Sequence, residues 1–323
     1  MAGPARSDDR PEACPACGAA LGGRYCHDCG QDTHARPRPL REFAAEAFSE
    51  TNLVDGRTAH TLVALAIRPG RMLEAYRAGA GSQYQSLVKL FVVATALFLL
   101  TLNFADVAIY QYVAQPQDPS RPVTAAADPD GVTIHLNNVI EQDRWMQRRV
   151  EPPVAPAVTQ AIIDAAARAP TEKDRQNLLY ENQSNREQTI ISERMAAWMP
   201  NALWLLMPLY ALLLAPFFGR KRLLMEHLNF AMWAHVTGFI LLILLALLNR
   251  AGLSLPVWAV IVPYLAYVTR AAARYYQLRW PQALWRAAAH LTLYFVVVLC
   301  PASLLVALSA LDLEALAAYS AVA

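Results

Sequence analysis

The chain has 323 residues, 55% of them apolar and 17% charged, with a formal net charge of +2 and five cysteines. An ordinary soluble domain carries about 45–50% apolar and about 25% charged residues, and here the excess is concentrated: no long apolar run precedes Leu87, and little else follows Ala196. This distribution excludes a disordered chain, a small disulfide scaffold and a purely soluble enzyme, and the near-balanced charge predicts no nucleic-acid partner.

The first element, residues 1–35, carries the clearest chemistry. Cys14-Pro15-Ala16-Cys17-Gly18 and Cys26-His27-Asp28-Cys29-Gly30 are two Cys-x-x-Cys knuckles. Two residues between thiolates let one tight turn aim both sulfurs at a single metal, and a glycine after each pair supplies the permissive backbone that such a turn needs. Cys14, Cys17, Cys26 and Cys29 together complete a tetrahedral shell, the usual arrangement of structural Zn²⁺, with no open position for catalysis. Metal affinity also supplies the folding energy of so short a segment. A rubredoxin-like iron centre is the main competitor. Two disulfides are disfavoured, because Ser7, Asp8, Asp9, Arg10 and Glu12 occupy the place of a signal peptide's apolar core and so predict a cytoplasmic N-terminus. His27 and His34 are spare and read as surface residues.

Residues 36–86 follow as juxtamembrane amphipathic helices, over Leu40–Leu53 and Thr58–Ile67, with Phe43, Ala47, Leu62, Leu65 and Ile67 as their apolar faces. Arg68-Pro69-Gly70 forms a turn, and Met72, Leu73 and Tyr76 resume the helix. Such helices either lie in the headgroup plane or pack on the end of a bundle, and the sequence alone allows both.

A bilayer core about 30 Å thick takes around 20 helical residues to cross. Five stretches qualify, at 87–109, 196–218, 228–248, 255–275 and 288–311, ahead of a short tail at 312–323. Pro208, Pro216, Pro263 and Pro301 are tolerable where neighbours re-satisfy the freed carbonyls. The fold class is thus an all-α integral membrane bundle of about five transmembrane helices with a small N-terminal zinc-ribbon domain.

Between the first two spans, residues 110–195 form a polar loop that reads as mostly helical. Val132, Ile134 and Leu136 alternate, which suits a short strand or a turn into a helix. From Thr159 the pattern is helical, with Ile162, Ile163 and Ala166 on one face, and Thr171 with Asp174 forms a capping box for a second helix. Large aliphatics are sparse, so a helical cap or a partly disordered loop is expected ahead of a ligand-binding domain.

Orientation follows from the basic residues of short loops. Arg220, Lys221 and Arg222 follow the second span, while Arg270, Arg274, Arg279 and Arg286 cluster around the loop after the fourth. These loops share a side, which puts the N-terminus inside, the C-terminus outside and residues 110–195 outside.

Ionisable residues at membrane depth are functional candidates by default. Glu226 and His227 stand at the inner edge of the third span, His235 lies two turns deeper, and His290 begins the fifth. On one reading they line a proton or metal path, or two of the histidines hold haem; on the other they serve as interhelical hydrogen-bond partners or interface anchors. No nucleotide loop, nucleophile elbow or His-Glu-x-x-His signature is present.

Three blocks resemble a known family. Tyr25-Cys26-His27-Asp28-Cys29-Gly30-Gln31, then Asp55-Gly56-Arg57-Thr58 with Thr61-Leu62, Arg68-Pro69-Gly70 and Tyr76, and finally Met225-Glu226-His227-Leu228-Asn229-Phe230-Ala231 are similar to a bacterial family of membrane proteins of unknown function, with a four-cysteine zinc ribbon and a Glu-His membrane motif. The second block departs from the pattern, with Gly79-Ala80-Gly81-Ser82-Gln83-Tyr84 where the family usually has a basic pair. The resemblance implies architecture and an inner-membrane location, not an activity. The expected function is a non-enzymatic adaptor or regulatory protein, embedded in the lipid bilayer, whose ribbon recruits a protein partner at the cytoplasmic face. The alternatives are a transporter or channel using Glu226, His227 and His235, and an enzyme acting on lipid or envelope substrates.

Overall fold

A computed structural model of the chain describes residues 12–32, 56–68, 70–78, 81–128, 133–219 and 222–309. The helix expected over Leu40–Leu53, the tail at 312–323 and His34 lie outside the described residues. In chain order the elements are α1 (Gly56–Ile67), α2 (Arg71–Arg77), α3 (Leu87–Ala105), β1 (Val107–Pro116), β2 (Thr124–Ala127), β3 (Ile134–Asn137), β4 (Val139–Arg148), α4 (Pro156–Ala167), α5 (Glu172–Leu205), α6 (Met207–Phe218), α7 (Leu224–Arg250), α8 (Trp258–Tyr275), α9 (Trp280–Tyr294) and α10 (Cys300–Leu308). The protein is mostly helical, but two small antiparallel sheets, β1 with β4 and β2 with β3, depart from the all-α expectation.

Among the described residues, three helical stretches are long and apolar enough to cross a membrane: α3, α7 and the run from Trp280 to Leu308. Within that run Phe295–Leu299 winds as a π-helix, just ahead of Pro301, whose missing N–H leaves the Val297 carbonyl without its helical donor. Phe295, Val296, Val297, Leu304, Leu305 and Leu308 are all exposed, so the run presents an apolar surface outward. The stretch expected at 196–218 is instead the end of α5 followed, after a break at Leu206, by the short apolar α6.

The described residues group into two compact units. One comprises those within 1–98, 206–241 and 260–294; the other comprises those within 99–205, 242–259 and 295–323. In the first, the turn between α1 and α2 presses on α8: a Cβ at Gly70 would stand 3.1 Å from the Ala271 backbone. Gly70 also has φ +78°, so glycine is required there twice over. Tyr267 donates its hydroxyl to the Leu65 carbonyl, Arg77 donates to the Tyr275 carbonyl at 3.1 Å, and Arg274 pairs with Glu74 at 3.0 Å. Of the two readings of this juxtamembrane segment, α1 and α2 thus pack on the helical bundle. The buried face of α1 holds Thr61, Ala64 and Leu65, whereas Leu62, Val63 and Ile67 are exposed, so the apolar face differs from the expected one.

The second unit has a core of its own, built around Ala114, Ala155, Val158, Ile162, Ala165, Ala166 and Leu178. Alanine supplies most of it, because small side chains let α4 and α5 approach the sheet closely; a count of large aliphatics misses such a core. α3 ends as a helix at Ala105, since Asp106 turns the chain at φ +53° and Val107 opens β1, so the helix is shorter than the expected span to Ile109. Thr171 caps α5 as its spacing predicts, accepting the Asp174 N–H at 3.1 Å. At the end of α7 the nearly inaccessible Asn249 donates to the Met146 carbonyl at 2.7 Å and the Leu255 carbonyl at 3.0 Å, and accepts the Leu255 N–H at 2.6 Å.

Replacing Asn249 by Ala leaves three backbone groups without partners. The expected loss is about 2–4 kcal/mol, read as a lowered midpoint of thermal unfolding in detergent.

Candidate metal centre

The N-terminal ribbon is one knuckle built twice. Cys14 N–H bonds to the Ala19 carbonyl at 2.7 Å and Gly18 N–H to the Cys14 carbonyl at 2.9 Å; twelve residues later Cys26 N–H bonds to Gln31 and Gly30 N–H to Cys26, both at 2.9 Å. Ala13 bridges to Ala20, and Tyr25 to Asp32, at the same offset. Gly18 and Gly30 hold φ of +82° and +72°, the left-handed conformation that closes each turn. Arg24 forks onto Asp32, with contacts of 2.9 and 3.2 Å.

These turns bring the Cys14, Cys17, Cys26 and Cys29 sulfurs within 4.8 Å of one another. Cys14 and Cys29 lie 3.6 Å apart and Cys17 and Cys26 3.5 Å, too far for disulfide bonds of about 2.05 Å. A tetrahedral metal with bonds of about 2.3 Å sets its sulfurs about 3.8 Å apart. The cluster therefore fits one soft cation of that geometry and could hold it with every position filled.

Electrostatics favour the same occupant. Against the burial that raises it, the N–H groups of Cys17 and Ala16 bring the Cys14 thiol down to about 7. The Cys29 and Asp28 N–H groups lower Cys26 in the equivalent place. Cys29 is pushed up to about 12, by burial foremost. Against the Ala19 N–H, the largest single influence and a lowering one, burial and the Cys26 sulfur together raise Cys17. Four like charges this close cannot form together without a cation between them.

The membrane residues singled out by sequence fall into two groups within the same unit. His227 is fully buried, with Nδ1 3.0 Å from the Tyr276 hydroxyl and Nε2 3.3 Å from the Gly219 carbonyl. A carbonyl only accepts, so Nε2 carries the proton and Nδ1 takes the Tyr276 hydroxyl's. Glu226 accepts from Arg222 at 2.8 Å, and the Arg222 guanidinium lies over the Tyr276 ring. His235 donates Nδ1–H to the Ala231 carbonyl at 2.7 Å, and His290 donates Nε2–H to the Tyr210 carbonyl at 3.2 Å. The Tyr210 ring takes both imidazoles edge-on, with centroids at 5.2 and 4.5 Å. All three histidines thus donate to main-chain carbonyls. Sequence reasoning missed Tyr210, Arg222 and Tyr276; the Tyr275-Tyr276 pair at the end of α8 was the available signal. Cys300, at the start of α10, is an exposed free thiol.

No family model, no curated protein and no solved structure matches this chain.

His227→Phe fills the same space and deletes both bonds. It is expected to lower stability by about 2–3 kcal/mol, measured by thermal unfolding in detergent, with metal content unchanged.

Proposed function

We propose that this chain is a multi-pass protein of the bacterial inner membrane in which a structural zinc ribbon, held at the cytoplasmic end of a five-span bundle, recruits a protein partner rather than carrying out catalysis. The observation that carries the reading is the closed set of four sulfurs on a doubled knuckle. It offers thiolate ligands only, with no position for a substrate.

Two features support the adaptor role. Tyr25 is 59% exposed on the ribbon with the Arg24 guanidinium over its ring, and exposed aromatic and arginine residues are favoured at interfaces. The Gln83 side chain donates to the Ala16 carbonyl inside the first knuckle, and Arg77 and Glu74 continue the connection to α8. A partner on the ribbon is thereby coupled to the bundle.

The five-span count adds the segment ending in α6 and the proline-interrupted α8 to the three clear spans. The cytoplasmic placement rests on Arg222, Arg270, Arg274, Arg279 and Arg286, which gather in the unit that holds the ribbon. In this arrangement the exposed Leu62, Val63 and Ile67 of α1 meet the bilayer. Zinc is favoured over iron because the cytoplasm offers a redox-silent structural role for a closed four-thiolate shell.

Protein purified with its native lipids should carry one zinc per chain by elemental analysis and lack the visible absorbance of an iron–thiolate centre. Cys14→Ser with Cys17→Ser should remove the zinc and a co-purifying protein while leaving the thermal unfolding of the bundle in place. Wild-type protein with zinc but never any co-purifying partner would remove the adaptor reading. A reporter fused at Ala323 should read outside; a cytoplasmic signal there contradicts five spans.

A further inference from the structure

Helix α9 opens the run from Trp280 to Leu308, the most apolar of the three long stretches, and the charge of that run is confined to its first turns. Arg286 is the last charged residue: from Ala287 to Leu308 there is no Asp, Glu, Lys or Arg. The roughly 20 helical residues that a bilayer core takes therefore lie wholly beyond Arg286, which puts Arg286 at headgroup level when the run crosses. Trp280 and Trp285, 51% and 57% exposed, stand at the same end, and tryptophan is enriched at that level of a membrane. Ala283 and His290 are buried, so another side of the helix faces the bundle.

Arg286 is a charge without an answer. The residue is half-buried, its Nε is sealed from solvent without a hydrogen-bond partner, and its guanidinium leans on the Trp285 ring, 5.7 Å from the centroid. Among the described residues no hydrogen bond or ion pair engages that guanidinium. Arg77, Arg222 and Arg274 in the same unit are held by contrast, by the Tyr275 carbonyl, Glu226 and Glu74. Those two carboxylates are thereby taken, and α9 has no acidic residue of its own. A cation at the edge of hydrocarbon is costly until an anion meets it. Arginine's planar fork suits a phosphate, which it can hold through two parallel N–H bonds.

We propose that Arg286, backed by Trp285, binds the phosphate of an anionic phospholipid. The ligand comes from the bilayer because the unanswered charge stands where the hydrocarbon begins, at the depth of lipid phosphates. It is anionic in net charge because a zwitterionic headgroup brings an ammonium, for which α9 offers no carboxylate. Arg279, seven residues earlier and exposed, adds positive charge on the aqueous side. The half-exposed indoles of Trp280 and Trp285 give the glycerol region an amphipathic wall. Basic pockets on membrane helices are known to select acidic headgroups in this way. The proposal rests on this run lying in a membrane. It does not depend on the ribbon's partner or on which side is cytoplasmic, so it stands or falls separately from the adaptor reading.

The test uses the full chain in phosphatidylcholine nanodiscs doped with phosphatidylglycerol whose acyl chains carry bromine, a short-range quencher of tryptophan fluorescence. Brominated phosphatidylglycerol should reach half its quenching at about fivefold lower mole fraction than brominated phosphatidylcholine, the preference that one basic residue gives beside an anionic headgroup. Arg286→Gln should remove this preference. Arg286→Lys, which keeps the charge, and Arg270→Gln, at an exposed arginine of α8, should retain it. Trp280→Phe with Trp285→Phe takes away the indoles beside the site and should abolish the excess quenching, which decides the matter even if Arg286→Gln does not reconstitute. Excess inorganic phosphate should not displace the lipid; displacement would assign the guanidinium to a dissolved anion. The proposal is overturned if the two brominated lipids quench alike, if Arg286→Gln keeps the preference, if Arg270→Gln abolishes it as fully, or if the double phenylalanine variant retains the excess.

Discussion

A polar group buried among apolar helices must find its partner within the protein, because no water is at hand to replace one. Much of the helical packing in the ribbon-bearing unit follows this constraint. His227, His235 and His290 each give an N–H to a main-chain carbonyl. Thr95 and Thr237 give their hydroxyls to the carbonyls four residues back, at 2.7 and 3.0 Å. Tyr264 reaches from α8 to the Ala234 carbonyl of α7 at 3.1 Å. The last bond requires backbones close together, and the fully buried Ala231, Ala234, Ala271 and Ala272 permit it by presenting almost no side chain.

The ribbon solves the opposite problem. It is too short to bury a core, and its two turns bring four sulfurs together, so a metal held there would do what apolar area does elsewhere. Main-chain N–H groups repeated around the sulfurs lower the first thiol of each knuckle, Cys14 and Cys26. The surface that remains carries the exposed Tyr25 ring with the Arg24 guanidinium over it.

How much of this was legible in sequence depended on the range over which each feature is encoded. The knuckles were readable because ligands, glycines and turn all lie within five residues of one another. The helix start at Thr171 was readable for the same reason. Strands β1 and β4 were not: β1 continues directly from an apolar helix, and β4, VIEQDRWMQR, becomes a strand through pairing with residues some thirty positions away. The outward turn of Leu62 and Ile67 was hidden likewise, because the docking partner of α1 is α8, which lies far along the chain. The Glu-His motif was visible, but its meaning was not, since Tyr276 and Gly219 come from two other elements.

That last case shows how a conspicuous polar motif can be fully used by packing. His227 has both ring nitrogens paired, and its neighbours Glu226, Arg222 and Tyr276 engage one another. Depth raises the cost of an unmet bond without making a site of every polar residue. Adding a ligand or a mobile proton at His227 would require breaking a bond already made, so the motif acts as a clasp between the end of α6, the start of α7 and the end of α8.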